Sequence, residues 1–155
     1  MNKTITLLVL LLLFSFELSA QKLVIGSEID DHKKIESVKW LSAPQSKSSV
    51  WIIDFYASGN PTAVEFYNSN ISRIKATASG RAEVVVITSK STPEFEALAD
   101  SDGNSYAFAV DTKGEFHKLL GVRYIPFTVI VNNKGKILWQ GNLSTLTDKI
   151  IDQVL

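Results

Sequence analysis

The residues whose types and spacing could support chemistry in this chain lie at positions 54–63, which read Asp-Phe-Tyr-Ala-Ser-Gly-Asn-Pro-Thr-Ala. The stretch carries an apolar strand into a helix that opens with Asn60 and Pro61, because Asn caps helix N-termini and Pro fits the first helical turn. A helix N-terminus at this point favours a reactive group or a bound anion. Ser58 and Thr62 bring hydroxyl groups to it. No base accompanies them in the sequence, so we expect capping rather than nucleophilic roles.

The chain contains no cysteine. Thiol–disulfide exchange and peroxide reduction by a cysteine are therefore excluded for the chain by itself. His32 and His117 lie on different segments, and neither has a second His or Cys at ligand spacing. The sequence consequently predicts no metal site and no cofactor.

Composition describes an ordinary globular protein of 155 residues, of which 45% are hydrophobic. Lys plus Arg and Asp plus Glu are both 16, so the formal net charge is zero. That balance gives no electrostatic reason to expect nucleic acid or an anionic membrane surface as a partner. We expect one domain with a real hydrophobic core.

Residues 1–20 have the pattern of a secretory signal peptide. Lys3 supplies the positive charge, positions 7–16 form an apolar run, and the small residues that end at Ala20 suit a signal peptidase. The run is shorter than the roughly 20 apolar residues that span a bilayer, so an uncleaved anchor is disfavoured. We predict cleavage after Ala20, a periplasmic or secreted protein, and no stable membrane anchor after cleavage.

The elements that must position residues 54–63 follow from hydrophobic periodicity. Residues 21–49 are assigned to an N-terminal extension, and residues 50–155 to one domain. The domain alternates strands and helices and ends in a hairpin and a helix, which predicts an α/β fold with a mixed central sheet covered on both faces. The predicted strands are 50–56, 83–88, 106–110, 127–131 and 136–140, and the predicted helices are 61–78, a short one from 92, 113–120 and one from Leu143 to Val154.

This order of elements, together with three local motifs, resembles the thioredoxin fold. The motifs are Asp-Phe-Tyr-Ala at 54–57, Gly-Val-Arg-Tyr-Ile-Pro-Phe-Thr at 121–128 and Asn-Asn-Lys-Gly-Lys-Ile at 132–137. They are similar to the strand end, the proline loop and the hairpin turn of the exported thioredoxin-like and redoxin group, which includes TlpA- and ResA-type proteins. The resemblance covers residues 50–155.

The resemblance breaks down where that family carries its chemistry. Its Cys-x-x-Cys motif would fall on Asn60 and Ala63, with Pro61 and Thr62 between them, and its Trp would fall on Gly59. Neither Asn nor Ala can form a thiolate or a mixed disulfide. The resemblance therefore implies a pseudo-oxidoreductase without catalytic residues.

The resemblance still implies a surface that could bind a peptide. It implies that Pro126 is cis and that Ile125 offers its backbone to an extended peptide, which requires no thiol. The alternative is that Pro126 only shapes the core. The candidate binding ridge consists of Ser58, Gly59, Asn60, Pro61, Thr62, Ile125, Pro126 and Phe127.

Asp54 matches an acid that is buried in thioredoxins and moves a proton for the second cysteine. Without that cysteine the role has no substrate. We therefore expect Asp54 to be a buried acid that is hydrogen-bonded to nearby backbone.

Three functional hypotheses remain open. The first is a non-catalytic binding module of the cell envelope that holds a protein or peptide at the former active-site groove. The second is an accessory component of a thiol–disulfide pathway whose cysteines are supplied by a partner. The third is a degenerate structural domain without a specific ligand.

Overall fold

The computed structural model describes residues 24–29 and 37–155. The predicted signal peptide, His32 and part of the predicted N-terminal extension lie outside these ranges. Across the described residues, no helix combines the length and the apolar character that a membrane crossing requires.

The described part of the chain contains six strands and four helices, which alternate from β2 to β5. The strands are β1 (Lys39–Ser42), β2 (Val50–Phe55), β3 (Glu83–Thr88), β4 (Ala107–Val110), β5 (Phe127–Asn132) and β6 (Ile137–Gly141). The helices are α1 (Pro61–Ala78), α2 (Pro93–Asp102), α3 (Glu115–Leu119) and α4 (Asp148–Val154).

All six strands belong to one mixed sheet with the order β1-β4-β3-β2-β5-β6. Strands β2, β3 and β4 are parallel, whereas β1, β5 and β6 each pair antiparallel to a neighbour. The parallel strands are short apolar runs, as expected for strands that are buried on both faces. Strand β1 adds part of the predicted N-terminal extension to the sheet.

Helices cover both faces of the sheet. Helix α1 turns Tyr67, Ile71 and Ile74 inward at three- and four-residue spacing, and these side chains share one core cluster with Phe95 of α2 and Ile151 of α4. On the other face, Phe116 and Leu120 around α3 pack with β2, β3 and β5. The predicted layering is confirmed.

Two predicted helix starts are wrong. Helix α3 begins at Glu115 instead of Lys113, because Gly114 has a left-handed backbone with φ of 65°. Helix α4 begins at Asp148, where the Thr147 side chain accepts from the Ile150 N–H. Leu143 and Leu146 are nevertheless fully buried, since the turn that precedes α4 directs them into the core. Apolar spacing of three and four residues therefore also suits a buried turn.

One edge of the sheet collects the loops that matter for function. The register aligns Phe55 with Ile87 of β3 and with Phe127 of β5, and Thr88 with Val110 of β4. The carboxyl ends of β2, β3 and β4 and the amino end of β5 therefore lie together. We call this edge, with the loops 56–60, 89–92, 111–114 and 123–126, the site edge.

Candidate functional site

Asn60 is the cap of helix α1 and also its link to a second loop. Its Oδ1 accepts from the Thr62 N–H at 3.1 Å and from the Ala63 N–H at 3.2 Å. Its Nδ2 donates to the carbonyl oxygen of Ile125 at 2.9 Å. Because backbone amides only donate and a carbonyl only accepts, these partners fix the orientation of the carboxamide. We call the bond from Asn60 to Ile125 the Asn60 bridge.

The loop on the other side of the Asn60 bridge has backbone N–H groups that make no hydrogen bond within the described residues. The Ile125–Pro126 peptide bond is cis. The N–H groups of Arg123, Tyr124 and Ile125 have no hydrogen-bond partner among the described residues. The Tyr124 side chain is 83% exposed. The loop thus presents unpaired donors beside an exposed aromatic ring.

Ser58 links the same turn to a third loop. The Ser58 and Thr92 hydroxyl oxygens are 2.7 Å apart, and Thr92 caps α2 by accepting from the Phe95 N–H at 3.2 Å. The expectation that Ser58 and Thr62 cap α1 is wrong, because the Asn60 carboxamide already accepts the first amides of that helix. The turn is therefore held by side chains on both of its flanks.

The predicted ridge divides by exposure. Gly59, Pro61 and Thr62 are exposed, whereas Ser58, Asn60, Ile125 and Pro126 are half-buried; Ala63, which is not part of the ridge, is buried. Phe127 is only 8% exposed and its ring lies 5.9 Å from the ring of Phe55. Its side chain consequently belongs to the core, and only the other seven ridge positions offer surface.

Asp54 lies inside the sheet beneath these loops. It is 2% exposed and accepts from the Thr128 hydroxyl at 2.8 Å. The partner is a side chain on the neighbouring strand, not the backbone group that the sequence led us to expect. Burial raises the pKa of Asp54 to about 7, although the hydrogen bond from Thr128 opposes that shift. Near neutral pH the carboxyl group is therefore present in both protonation states.

Tyr56 separates Asp54 from the turn. Its ring packs 5.6 Å from the ring of Tyr67 and 5.8 Å from that of Phe95. Burial, with smaller contributions from the charges of Glu94 and Asp54, raises the pKa of Tyr56 above its ordinary value. The phenol stays protonated at physiological pH, so Tyr56 contributes packing rather than acid–base chemistry.

A second polar pair at the site edge was missed by the sequence analysis. Asp111 follows β4, is 3% exposed, and accepts from both the backbone N–H and the Nδ1 of His117 at 2.8 Å. The His117 ring lies 4.7 Å from the ring of Phe55. Its Nε2 is buried without a partner among the described residues. An acid six residues before a His, at the start of a short helix, is too common a pattern to single out.

No protein-family profile and no curated protein matches the sequence. Solved structures do match the fold. StoA of Bacillus subtilis is 19% identical over 70% of this chain and 84% of its own, with a TM-score of 0.55. The exposed lipoprotein thioredoxin of Streptococcus pneumoniae is 18% identical over 69% and 83%, with a TM-score of 0.54.

The thioredoxin domain of a thiol-disulfide oxidoreductase from Bacteroides vulgatus covers more of the chain. It is 14% identical over 86% of this chain and 96% of its own, with a TM-score of 0.57. The chain therefore has a thioredoxin-like fold, which confirms the predicted fold class. It carries that fold without a Cys-x-x-Cys motif, since it has no cysteine.

Proposed function

We propose that this chain is a non-catalytic thioredoxin-fold protein of the bacterial cell envelope that binds an extended segment of a protein or peptide partner at the site edge. The observation that carries the proposal is the Ile125 N–H, which has no partner among the described residues and directly follows Tyr124, an exposed residue. An extended peptide can pair with such a backbone by main-chain hydrogen bonds alone. Binding therefore survives the loss of both cysteines.

The location in the cell envelope rests on the sequence of residues 1–20 and is supported by the comparisons. The Streptococcus pneumoniae neighbour is described as an exposed lipoprotein. This chain has no cysteine after its apolar run to carry a lipid, so we propose a free protein in the periplasm or outside the cell.

The binding proposal is tested with an array of short synthetic peptides that are unstructured in solution. Gly59 is exposed and has nothing within 4 Å of an added Cβ, so Gly59→Glu should fold while it places a charged side chain on the ridge. We expect Gly59→Glu to abolish peptide binding and Gly59→Ala to retain it.

Asn133→Glu is the charge-matched control. Asn133 is exposed and its backbone pairs with Ser49, at the end of β2 and β5 opposite to Pro126. It should bind the array as the unmodified protein does. Equal binding by Gly59→Glu and Asn133→Glu would place any peptide site elsewhere and overturn the proposal.

The alternative, an accessory redox role, is favoured by one observation. Asn60 and Ala63 occupy the cap and the third position of α1, which is the spacing of a Cys-x-x-Cys pair at a helix start. The double substitution Asn60→Cys and Ala63→Cys should then reduce insulin in a standard turbidity assay. A folded double variant without reductase activity would show that the edge no longer supports thiol chemistry, and would favour a binding or purely structural role.

A further inference from the structure

We infer that Asn60 determines the specificity of the site edge, and that it selects an extended segment whose residue opposite Ile125 is a proline. The inference rests on the proposed function and adds the class of partner to it. The argument depends on what the Asn60 bridge does to the hydrogen-bonding groups of Ile125.

A residue that pairs with Ile125 across an antiparallel contact normally exchanges two hydrogen bonds with it. Its carbonyl accepts from the Ile125 N–H, and its own N–H donates to the Ile125 carbonyl. Here the two groups of Ile125 are unequal. The N–H has no partner among the described residues, whereas the carbonyl oxygen already accepts from Asn60 at 2.9 Å.

This inequality changes which partner residue fits. An ordinary residue must take its N–H out of water and then finds an oxygen that is already engaged, so it recovers only part of the cost of desolvation. Proline has no backbone N–H and loses nothing, while its carbonyl can still accept from Ile125. The Asn60 bridge thus lowers the usual penalty for proline at this position, because the Ile125 carbonyl oxygen has only one lone pair left to accept a second bond.

Helix α1 keeps the bridge in place. The Asn60 carboxamide cannot turn its Nδ2 away from Ile125 without also withdrawing its Oδ1 from the amides of Thr62 and Ala63. Thr62 is exposed and Ala63 is buried, so the amide of Ala63 in particular is costly to leave unpaired. An incoming peptide that displaced the bridge would therefore also have to offset the loss of the helix cap.

Tyr124 supplies an independent reason to expect proline. Three large hydrophobic residues of the described chain are exposed, and Tyr124 is the aromatic one, with 83% of its area accessible. Proline-rich segments are already extended and dock their rings on aromatic side chains at low entropic cost. Because Tyr124 directly precedes Ile125, one bound segment can contact the Tyr124 ring and also accept from the unpaired Ile125 N–H.

The test uses peptides from the array that bind the unmodified protein. Each is synthesised with alanine, N-methylalanine or proline at every backbone position in turn, and dissociation constants are measured by fluorescence anisotropy. At one position the N-methylalanine and proline forms should bind the unmodified protein at least as tightly as the alanine form.

Asn60→Ser is the diagnostic variant, because the Ser hydroxyl can accept at the helix cap while the carboxamide Nδ2 that donates to Ile125 is removed. At the same position, the alanine form should gain about fivefold to tenfold over the N-methylalanine form, the worth of one recovered hydrogen bond. Tyr124→Ala should weaken the proline form more than the N-methylalanine form. Circular dichroism confirms that each variant is folded.

The outcomes separate the two proposals. If no peptide in any form binds, the proposed function and the inference both fall. If peptides bind but the unmodified protein prefers alanine to N-methylalanine at every position, the inference alone is overturned. An unchanged ratio in Asn60→Ser would also overturn it, since the preference would then not depend on the bridge.

Discussion

Two asparagines at opposite ends of the central strands show how the site edge differs from the rest of the molecule. Asn132 closes the β5–β6 turn, where its Oδ1 accepts from the N–H groups of Lys134 at 3.0 Å and Lys136 at 2.9 Å. Asn60 uses its Oδ1 in the same way at the start of α1, but its Nδ2 also reaches Ile125 in another loop. Both side chains accept hydrogen bonds from nearby backbone amides, but of the two only Asn60 also links two segments of the fold that are distant in sequence.

Two buried acids repeat the contrast. Glu83, at the start of β3, and Asp54, near the end of β2, are each 2% exposed. Glu83 accepts from both the backbone N–H and the hydroxyl of Ser46, which holds the loop before β2. Asp54 accepts from the hydroxyl of Thr128. At the end of the sheet away from the site, the buried carboxylate of Glu83 thus accepts two hydrogen bonds. At the site edge, the buried carboxyl group of Asp54 accepts one from a side chain, and the backbone N–H of Ile125 has no partner among the described residues.

The largest effect should come from Asp54→Asn. Since the pKa of Asp54 is raised from 3.8 to about 7, the folded state holds a proton that the unfolded state releases, and stability falls as pH rises between these values. Asn carries no charge to bury. The variant should therefore be more stable than the unmodified protein by up to about 4 kcal/mol at pH values above about 7.

Urea unfolding across the pH range measures this difference. Well below the unfolded pKa of 3.8, at about pH 3, both proteins are neutral at the position, and their free energies of unfolding should converge. An advantage for Asn that grows as pH falls would contradict the assigned burial of the carboxyl group.

Glu83→Ala should have the next largest effect, in the opposite direction. It removes the acceptor for two donors of Ser46 and frees the loop before β2, so the free energy of unfolding should fall by about 2 kcal/mol. Glu83→Gln keeps an acceptor oxygen and should lose less. Equal losses in the two variants, measured by urea unfolding, would contradict this expectation, because Gln keeps both the packing and an acceptor oxygen and only the carboxylate charge would then matter.

A matched pair of substitutions compares the two asparagines directly. Asn60→Ala also removes the donor to Ile125 and should therefore cost more than Asn132→Ala. The loss of the acceptor for two backbone amides, which both substitutions cause, should account for about 1 kcal/mol of stability in each. Asn60→Ser should restore most of that loss because it can cap α1. Thermal unfolding would contradict this assignment if Asn60→Ser were as unstable as Asn60→Ala.

The smallest effect should come from Ser58→Ala, which removes the bond to Thr92 at the other flank of the turn. The cost should be about 0.5 kcal/mol, as for a half-buried hydroxyl pair. Thr92→Ala should cost about 1 kcal/mol, because it also uncaps α2. Denaturant midpoints that rank these two variants in the reverse order would count against the role given to Thr92.

Much of the fold could be predicted because strong local patterns coincide with its elements. The apolar runs of β2 and β3, the periodicity of α1 and the turn at residues 132–135 each signal one structure. Strand β1 was not predicted, since a short half-buried edge strand is shaped by its neighbour β4 more than by its own sequence. The start of α4 was misplaced because buried leucines in a turn imitate helical spacing.

The sequence by itself determined that this chain has no thiol chemistry, since it has no cysteine, and that a strand leads into a helix capped at Asn60. Only the tertiary structure decided what the remaining polar groups do. The partners of Asn60 and Asp54 lie 65 and 74 residues away, at Ile125 and Thr128. Such pairs depend on the register of β2 against β5 and on the path of the loop before β5, and short-range patterns carry neither. The sequence therefore located the site edge. Only the structure showed that the Ile125 carbonyl oxygen accepts from Asn60 while the Ile125 N–H has no partner among the described residues.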